Sequence, residues 1–278
     1  MILVADSGST KTTWLLADDF GNTRQYQSLG INPFFRSTED IVAELKPLFA
    51  GDHLPLRAIH FYGAGVVSTE KAGVIAKALT ILFGDVSCQV SSDMLGAARA
   101  LCGTQPGIVC ILGTGSNACY YNGSAIVKNI PPMGFILGDE GSGAVIGRQL
   151  VSDFFKEVMP AHLREKFVTR FNISKDEVLE RVYRTEKPNR YLAGFTPFLS
   201  ENRDERYCCD LLRSQFGAFV QRNVKQLPES AGLPVHVAGS VAFYFREILD
   251  DVLRSEGLQP GLIQKEPIEY LLRFHLQK

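Results

Sequence analysis

The chain has 278 residues, a length at which single hydrophobic cores stop growing, so we expect two domains. Hydrophobic residues make up 45% and charged residues 21%, a composition typical of a folded globular protein and not of a disordered one. The formal net charge is −1, from 29 basic and 30 acidic residues, without a basic run long enough to follow a nucleic-acid backbone. Nucleic acid is therefore not an expected partner.

Neither export nor membrane insertion is predicted. The apolar start reaches Asp6 without the charged and long apolar regions of a signal peptide. No later stretch approaches the roughly 18 apolar residues that a membrane span needs. The 6 cysteines include no Cys-x-x-Cys pair and no Cys/His cluster with zinc spacing, which favours buried reduced thiols. We expect a cytoplasmic protein.

A β-meander is predicted at the start of the chain, with strands over 2–5, 13–17 and 23–29 and a turn over 18–22. A helix follows, in which Ser37 is the expected N-cap and Asp40 completes a capping box. The remaining elements of this half alternate between strand and helix, at 58–62, 70–82, 86–90 and 95–102. This alternation predicts an α/β domain.

The same order begins again at Gly107. Strands over 108–112 and 118–121 flank a glycine turn, and Asn122-Gly123 is a hairpin signal. Residues 4–9 overlie residues 111–116 at an offset of 107, which predicts an internal duplication, with two unrelated glycine hairpins as the alternative. The rest is predicted to be helical over 145–156, 163–171, the segment after the Ser174 capping box, 206–225, 241–254 and 268–276, with one late strand over 235–238.

The first glycine turn, DSGSTKT at residues 6–12, has the composition of a phosphate-binding loop. Glycine lets the backbone approach a phosphate, hydroxyls add donors and lysine adds charge. The candidate phosphate contacts are Gly8, Ser9, Thr10 and Lys11, and Asp6 is a candidate to hold magnesium through water. The turn is not a Walker A loop, and a structural hairpin is the alternative.

The second glycine turn, GTGS at residues 113–116, offers a similar backbone through Gly113 and Gly115. Between the two turns lies Asp93, after a predicted strand that ends at Val90. Aspartate is a preferred N-cap residue, and the position considered alone favours a helix cap. The alternative is a general base that accepts the proton of a substrate hydroxyl as the γ-phosphoryl group arrives.

Two further motifs carry candidate ligand contacts. The segment 131–143 (PPMGFILGDEGSG) places Asp139 and Glu140 among four glycines, a density that favours close backbone approach to a ligand over simple complementation of a helix dipole. In VAGSVA at 237–242, a strand meets a helix through Gly239 and Ser240. This pair could pack against adenine or form a tight turn.

Taken in order, the motifs resemble the five landmarks of the actin, Hsp70 and sugar-kinase superfamily. They lie at residues 6–12, 93, 112–117, 138–143 and 237–242. More narrowly, LGTGSN at 112–117 and LGDEGSG at 137–143 resemble the N-acetylglucosamine kinases and the related BadF/BadG-type ATPases. The resemblance implies two ribonuclease-H-like α/β domains, with ATP and magnesium in the cleft between them.

The resemblance also implies domain bounds and residue roles. The first domain spans 1–104, with the C-terminal helix over about 266–278 packing back on it, and the second spans 105–265. Asp93 is the implied catalytic base, and Gly239 and Ser240 are the implied adenosine contacts, although the family more often has Gly-Gly there. The implied amino-sugar contacts are Asn32, Thr114, Asn117, Asp139 and Glu140.

We therefore expect a kinase that phosphorylates the 6-hydroxyl of N-acetylglucosamine or a related amino sugar. One alternative is an ATPase that activates a dehydratase through an iron–sulfur cluster, which needs cysteine ligands that the spacing does not provide. Another is a nucleotide or sugar sensor without catalysis, which would have no need of a base at Asp93. The sequence leaves the particular sugar and the oligomeric state open, a homodimer among the states it allows.

Overall fold

The described residues of this computed structural model, 1–8, 10–50 and 55–277, form two units, each built on one five-stranded sheet. Unit 1 comprises Met1–Gln105, Gly123–Ala125 and Glu266–Lys278, and unit 2 comprises Pro106–Asn122 and Ile126–Lys265. Along the described parts of the chain, no helix is both long enough and apolar enough to span a membrane.

The strands, in chain order, are β1 (Ile2–Ser7), β2 (Lys11–Ala17), β3 (Thr23–Leu29), β4 (Ala58–Gly63), β5 (Ser87–Ser92), β6 (Gly107–Leu112), β7 (Ser116–Tyr121), β8 (Ile126–Ile130), β9 (Val235–Ala238) and β10 (Pro260–Gln264). The helices are α1 (Thr38–Leu48), α2 (Thr69–Phe83), α3 (Asp93–Cys102), α4 (Gly134–Leu137), α5 (Gly143–Phe155), α6 (Ala161–Phe171), α7 (Lys175–Tyr183), α8 (Pro188–Ala193), α9 (Pro197–Glu201), α10 (Arg206–Arg222), α11 (Ser240–Tyr244), α12 (Arg246–Ser255) and α13 (Ile268–Leu276). Short 3₁₀ turns cover Val224–Gln226 and Pro228–Ala231.

The two sheets have the same topology. In unit 1 the order is β3-β2-β1-β4-β5, and in unit 2 it is β8-β7-β6-β9-β10. Each begins with an antiparallel meander of three strands, to whose first strand two further strands are added in parallel. The common topology is what an internal duplication predicts, and it favours that interpretation over two unrelated glycine hairpins.

Burial follows the layered architecture. Leu3, Val4 and Ala5 of β1 are all fully buried, as expected for a central strand covered on both faces. In unit 1, Trp14 packs edge-on against Phe49 at a centroid distance of 5.6 Å, and helices α1 and α2 contribute to the same core. Helix α13 packs on α3, β1 and β2. In unit 2, the core between the sheet and α10 includes Phe216 and Phe219.

Local signals place most elements where the sequence predicts them. Ser37 caps α1, and the reciprocal bonds with Asp40 confirm the capping box. The Ser174 hydroxyl accepts from the Glu177 N–H group at 3.1 Å and so caps α7. The turn after β2 is closed by a hydrogen bond from the Asp18 N–H group to the Asn22 carbonyl at 3.0 Å.

Some predicted bounds are wrong. The predicted helix over 241–254 is two helices that part at Phe245, and the predicted helix over 206–225 ends at Arg222 before a 3₁₀ turn. Strands β8 and β10 were not predicted. Both are edge strands, β8 is largely exposed, and β10 opens with Pro260-Gly261, residues that disfavour a strand assignment.

Candidate active site

In unit 1, three parallel strands end at the same level. Ser7 of β1, Gly63 of β4 and Ser92 of β5 lie in register at their carboxyl ends. Asp6 and Asp93 therefore come to one edge of the sheet, the edge at which ligands bind in open α/β sheets. Burial raises the pKa of Asp6, and the charge of Asp93 adds to that shift.

The first glycine turn connects β1 to β2 at this edge. The Gly8 N–H group donates to the Lys11 carbonyl at 3.0 Å, and the Thr10 carbonyl accepts from the Gly30 N–H group at 3.0 Å. A Cβ built on Gly8 would meet its nearest neighbour, the Lys11 carbonyl oxygen, at 3.8 Å, an ordinary contact. The fold thus leaves space for a side chain at this exposed position. Ser9, the third predicted phosphate contact, lies outside the described residues.

Asp93 is the first residue of α3 and does not cap the helix. The N-cap is Ser92, whose hydroxyl accepts from the Leu95 N–H group at 3.2 Å, so the helix-cap interpretation of Asp93 is wrong. One carboxylate oxygen of Asp93 accepts from the Met94 N–H group at 2.8 Å, which fixes its orientation. Burial raises the pKa of Asp93 to about 6, although the hydrogen bond from Met94 acts to lower it.

Asp6 is in a still less favourable setting for a charged carboxylate. Burial is the main cause that raises its pKa to about 7, and the charges of Asp93 and Glu266 add to the shift. Lys11 acts in the opposite direction. The Lys11 ammonium itself pairs with the Glu266 carboxylate at 2.7 Å, a partner that sequence patterns did not predict.

Asn32, the predicted sugar contact of unit 1, sits in an Asx turn in which its side-chain oxygen accepts from the Phe34 N–H group at 2.9 Å. The preceding residue, Ile31, donates its N–H group to the Ser7 hydroxyl at 2.9 Å. This hydrogen bond attaches the loop that carries Asn32 to the carboxyl end of β1, where the first glycine turn begins.

In unit 2, the second glycine turn is fixed by the start of α5. The Gly113 N–H group donates to the Gly115 carbonyl at 3.0 Å. The Gly143 and Ala144 N–H groups donate to the carbonyls of Gly113 and Thr114 at 2.8 and 3.1 Å. The turn therefore satisfies N–H groups that a helix N-terminus leaves unpaired.

Asp139 lies directly against this turn. Its carboxylate accepts from the Ser116 N–H group at 3.3 Å, and a Cβ built on Gly115 would be 3.1 Å from its second oxygen. The backbone of Asp139 has φ 54, a left-handed conformation that non-glycine residues seldom adopt. Burial raises the pKa of Asp139 to about 6, with a smaller upward contribution from Glu140 and a downward one from the Ser116 hydrogen bond.

Glu140 and Asn117 both have protein partners. The two carboxylate oxygens of Glu140, which is 18% exposed, are bound by Arg222 Nε at 2.6 Å and Asn223 Nδ2 at 3.2 Å. Asn117 Oδ1 accepts from the Ala118 N–H group at 2.9 Å and from Asn129 Nδ2 at 2.6 Å. The structure thus gives Glu140 an anchoring role in unit 2 and holds the Asn117 side-chain oxygen between two donors.

Gly239 has a clear structural reason to be glycine. Its φ is 121, and a Cβ there would lie 2.3 Å from the Leu112 carbonyl oxygen. Its N–H group donates to the Gln264 carbonyl at 2.8 Å. The turn between β9 and α11 therefore abuts the end of β6, with the exposed Ser240 as the first residue of α11. Within the described ranges, no group of three or more His, Cys, Asp or Glu side chains is arranged to hold a metal ion.

Comparison with solved structures finds the same fold over whole chains. A Porphyromonas gingivalis protein named "Putative N-acetylglucosamine Kinase" is 41% identical, with all of this chain and 99% of that one aligned at a TM-score of 0.96. A Chromobacterium violaceum protein with the same description is 20% identical over 98% of both chains, with a TM-score of 0.74. The ROK family glucokinase of Streptomyces griseus, solved with glucose and AMPPNP, is 15% identical over 99% of this chain and 100% of its own, with a TM-score of 0.58. No protein-family model and no curated protein matches the chain.

Two sheets of this topology, with a glycine turn after the first strand of each, are the actin-like ATPase fold. The high identity to the Porphyromonas gingivalis protein makes the chain a sugar kinase of that superfamily, an ATP-dependent phosphotransferase. The predicted α/β fold class is confirmed. With 41% identity over its whole length to the Porphyromonas gingivalis protein, the chain belongs to the N-acetylglucosamine kinase family.

Proposed function

We propose that this enzyme transfers the γ-phosphoryl group of ATP to the 6-hydroxyl of N-acetylglucosamine or a closely related amino sugar. The observation that carries the proposal is the setting of Asp93. It is a half-buried carboxylate whose pKa is raised by burial, oriented by the Met94 N–H group, at the edge of the sheet where the first glycine turn begins. The name of the Porphyromonas gingivalis relative supports the amino sugar.

In the proposed step, the sugar hydroxyl oxygen attacks the γ-phosphorus and its proton passes to the Asp93 carboxylate. The new oxygen–phosphorus bond forms as the bond between the γ-phosphorus and the bridging oxygen of ADP breaks. A base works best when its pKa lies near the working pH, and burial raises the pKa of Asp93 to about 6. The products are the sugar 6-phosphate and ADP, with Asp93 left protonated until solvent removes the proton.

Phosphate contacts come from the two glycine turns in this proposal. The Gly8 position is open, so that a phosphate oxygen could approach the backbone there. Thr10 and Lys11 are exposed on the same turn. The full set of proposed phosphate contacts is Gly8, Ser9, Thr10, Lys11, Gly113 and Gly115.

Asp6 fits a magnesium ion held through water. Carboxylate oxygen is a ligand that magnesium prefers, and such sites use one or two carboxylates together with substrate phosphates. Burial, Asp93 and Glu266 raise the pKa of Asp6 to about 7, so a cation beside it would stabilise the ionised form. Bound magnesium would neutralise charge on the phosphates during transfer. The Asp6 carboxylate belongs to the end of β1, directly before the phosphate turn.

The proposed sugar contacts are those that the family resemblance implies: Asn32, Thr114, Asn117, Asp139 and Glu140. Glu140 would accept from the sugar in addition to Arg222 and Asn223, because each carboxylate oxygen has two lone pairs. Side-chain amides and carboxylates can pair with both the donors and the acceptors of a sugar ring. The left-handed backbone of Asp139 supports a role in binding, because such strain is concentrated at functional sites. We further propose that Gly239 and Ser240 contact the adenosine and that the two units are the two domains of the enzyme. The expected cytoplasmic location and homodimer stay predictions.

A coupled assay of ADP formation across N-acetylglucosamine, glucosamine and N-acetylmannosamine tests the proposal, with and without magnesium. The position of the phosphate follows from the coupling of ³¹P to the C6 protons of the product. Asp93→Asn should lower kcat by about 100-fold to 10,000-fold, the usual contribution of a general base. The matched control is Asp85→Asn, at an exposed position. A folded Asp93→Asn enzyme with unchanged kcat, or a product phosphorylated elsewhere, would contradict the proposal.

A further inference from the structure

The ion pair between Lys11 and Glu266 joins the phosphate turn to the point where the chain re-enters unit 1. Lys11 begins β2, and its carbonyl closes the turn by accepting from the Gly8 N–H group at 3.0 Å. Glu266 is the first residue of the C-terminal segment of unit 1 and lies 255 residues later in the chain. Lys11 Nζ and Glu266 Oε1 are 2.7 Å apart.

The pair is not needed to hold this segment in place. The side chains of Lys11 and Glu266 are 47% and 35% exposed, and ion pairs at such exposure contribute little to folding stability. Helix α13 is anchored separately by its apolar face, which packs on α3, β1 and β2. The buried residues of that face are Ile268, Leu271, Leu272 and Phe274. The position of Glu266 therefore calls for an explanation in terms of charge at the turn.

The charge balance around the turn is unfavourable for a polyphosphate. Asp6 interacts electrostatically with two acidic groups, Asp93 and Glu266, and with one basic group, Lys11. Lys11 is the one basic group among the three charged groups that shift the pKa of Asp6, and its ammonium is already paired with a carboxylate. A phosphate that binds at the turn would have to compete with Glu266 for Lys11.

Resting on the proposed phosphate role of the first turn, we propose that Glu266 is a positioning residue that sets nucleotide affinity by competing with the nucleotide phosphates for the Lys11 ammonium. Glu266 holds Lys11 at 2.7 Å. When the nucleotide binds, a phosphate oxygen replaces Glu266 as the partner of Lys11. Because the nucleotide must displace Glu266, the enzyme binds both ATP and ADP more weakly than it would without Glu266. The weaker binding favours release of the product ADP.

The test is a double-mutant cycle of Glu266→Gln and Lys11→Met, read by calorimetric titration of ADP with magnesium and by steady-state kinetics. Glu266→Gln should tighten ADP binding and lower the KM for ATP, each by about 1.5-fold to fivefold, the range expected for one partly exposed ion pair. The KM for the sugar should stay unchanged. Lys11→Met should weaken both nucleotides. In the Lys11→Met background, Glu266→Gln should have no further effect, because the competition needs both partners.

The matched control is Glu269→Gln, which removes one negative charge from an exposed position three residues later and should leave nucleotide affinity unchanged. Thermal unfolding of each variant verifies folding. Unaltered ADP affinity in a folded Glu266→Gln enzyme would overturn the proposal. So would an equal gain in the Lys11→Met background, since Glu266 would then act by general repulsion.

These failures differ from failure of the proposed function. If the wild-type enzyme phosphorylates an amino sugar while Glu266→Gln changes nothing, the inference about Glu266 is wrong and the proposed function stands. If the wild type neither binds ADP nor phosphorylates any amino sugar, both are wrong, because Lys11 then has no phosphate to exchange for Glu266.

Discussion

The carboxylate of Asp139 should cost the protein stability at neutral pH. Its pKa is raised from 3.8 to about 6, mainly by burial, so the folded state holds the proton more tightly than the unfolded state does. The stability that this proton provides is fully present below about pH 4 and is lost as the pH rises through about 6. Above that pH, an ionised carboxylate is retained in a setting that disfavours it.

Asp139→Asn should therefore stabilise the unliganded protein at pH 7. The amide oxygen of asparagine can still accept from the Ser116 N–H group, now 3.3 Å from the carboxylate, and asparagine tolerates the left-handed backbone at φ 54. A full conversion of the pKa shift would give about 3 kcal/mol, but the carboxyl group is partly exposed and screened by solvent, so we expect about 1 kcal/mol. For a unit of this size, that corresponds to a rise in Tm of about 2–4 °C.

The assay is thermal unfolding of the wild type and the variant from pH 4 to pH 8 at constant ionic strength. The gain in Tm should be largest at pH 7–8 and should vanish near pH 4, where aspartic acid is neutral. Asp204→Asn, at an exposed position of unit 2, is the control and should change Tm little at any pH. A variant that is less stable at pH 7, or a gain that does not depend on pH, would refute the reasoning. Under the proposed function, the same variant should bind the sugar more weakly.

Three further predictions concern single positions. Gly239→Ala should lower the free energy of unfolding by about 2–4 kcal/mol in urea titrations. The new Cβ would lie 2.3 Å from the Leu112 carbonyl oxygen, and the backbone φ is one that alanine disfavours. A loss below about 1 kcal/mol would show that the turn can move to relieve this contact. Gly217→Ala, in α10 with nothing within 4 Å, should raise that free energy by about 0.5–1 kcal/mol, and a loss there would contradict the open space. At saturating magnesium and ATP, kcat/KM for the sugar should fall as the pH drops through about 6, where Asp93 becomes protonated; a profile flat to pH 5 would exclude Asp93 as the base.

Short-range signals explain what the sequence could predict. The turn at Asp18 and Asn22, the capping box of Ser37 and Asp40, and the strand over 235–238 each depend on neighbouring residues, and each lies where it is predicted. The glycine turns lie where their composition indicates, because a short segment rich in glycine and serine between two buried strands favours a turn.

The helix-cap interpretation of Asp93 is wrong by one residue, because two neighbouring residues are both suitable caps. Serine and aspartate are both preferred N-cap residues, and Ser92 and Asp93 are adjacent, so composition alone cannot decide which of them caps α3. The backbone decides: Ser92 has an extended conformation and its hydroxyl accepts from the Leu95 N–H group. The shift matters for function, because it leaves the Asp93 carboxylate outside the cap and available for chemistry.

Long-range pairs could not be predicted at all. Lys11 meets Glu266 from 255 residues away. Glu140 is bound by Asn223, which lies 83 residues away in the chain, and by Arg222, the residue before Asn223. None of these residues carries a periodic or spacing signal that points to its partner, since only the packing of distant segments brings them together. Local motifs therefore predicted which groups contact ligands, but could not predict the distant residues that pair with Lys11 and Glu140.

The two glycine turns differ in where the carboxylate beside them comes from. Residues 6 and 8 of the first turn correspond to residues 113 and 115 of the second. The position that corresponds to Asp6 is occupied by Gly113, and the carboxylate near the second turn, Asp139, comes from a separate loop and lies against Gly115. Both carboxyl groups have raised pKa values, about 7 and about 6, with burial as the main cause. Each turn is thus accompanied by a carboxylate whose charged form burial disfavours, an arrangement expected where a cation or a hydroxyl-rich ligand binds.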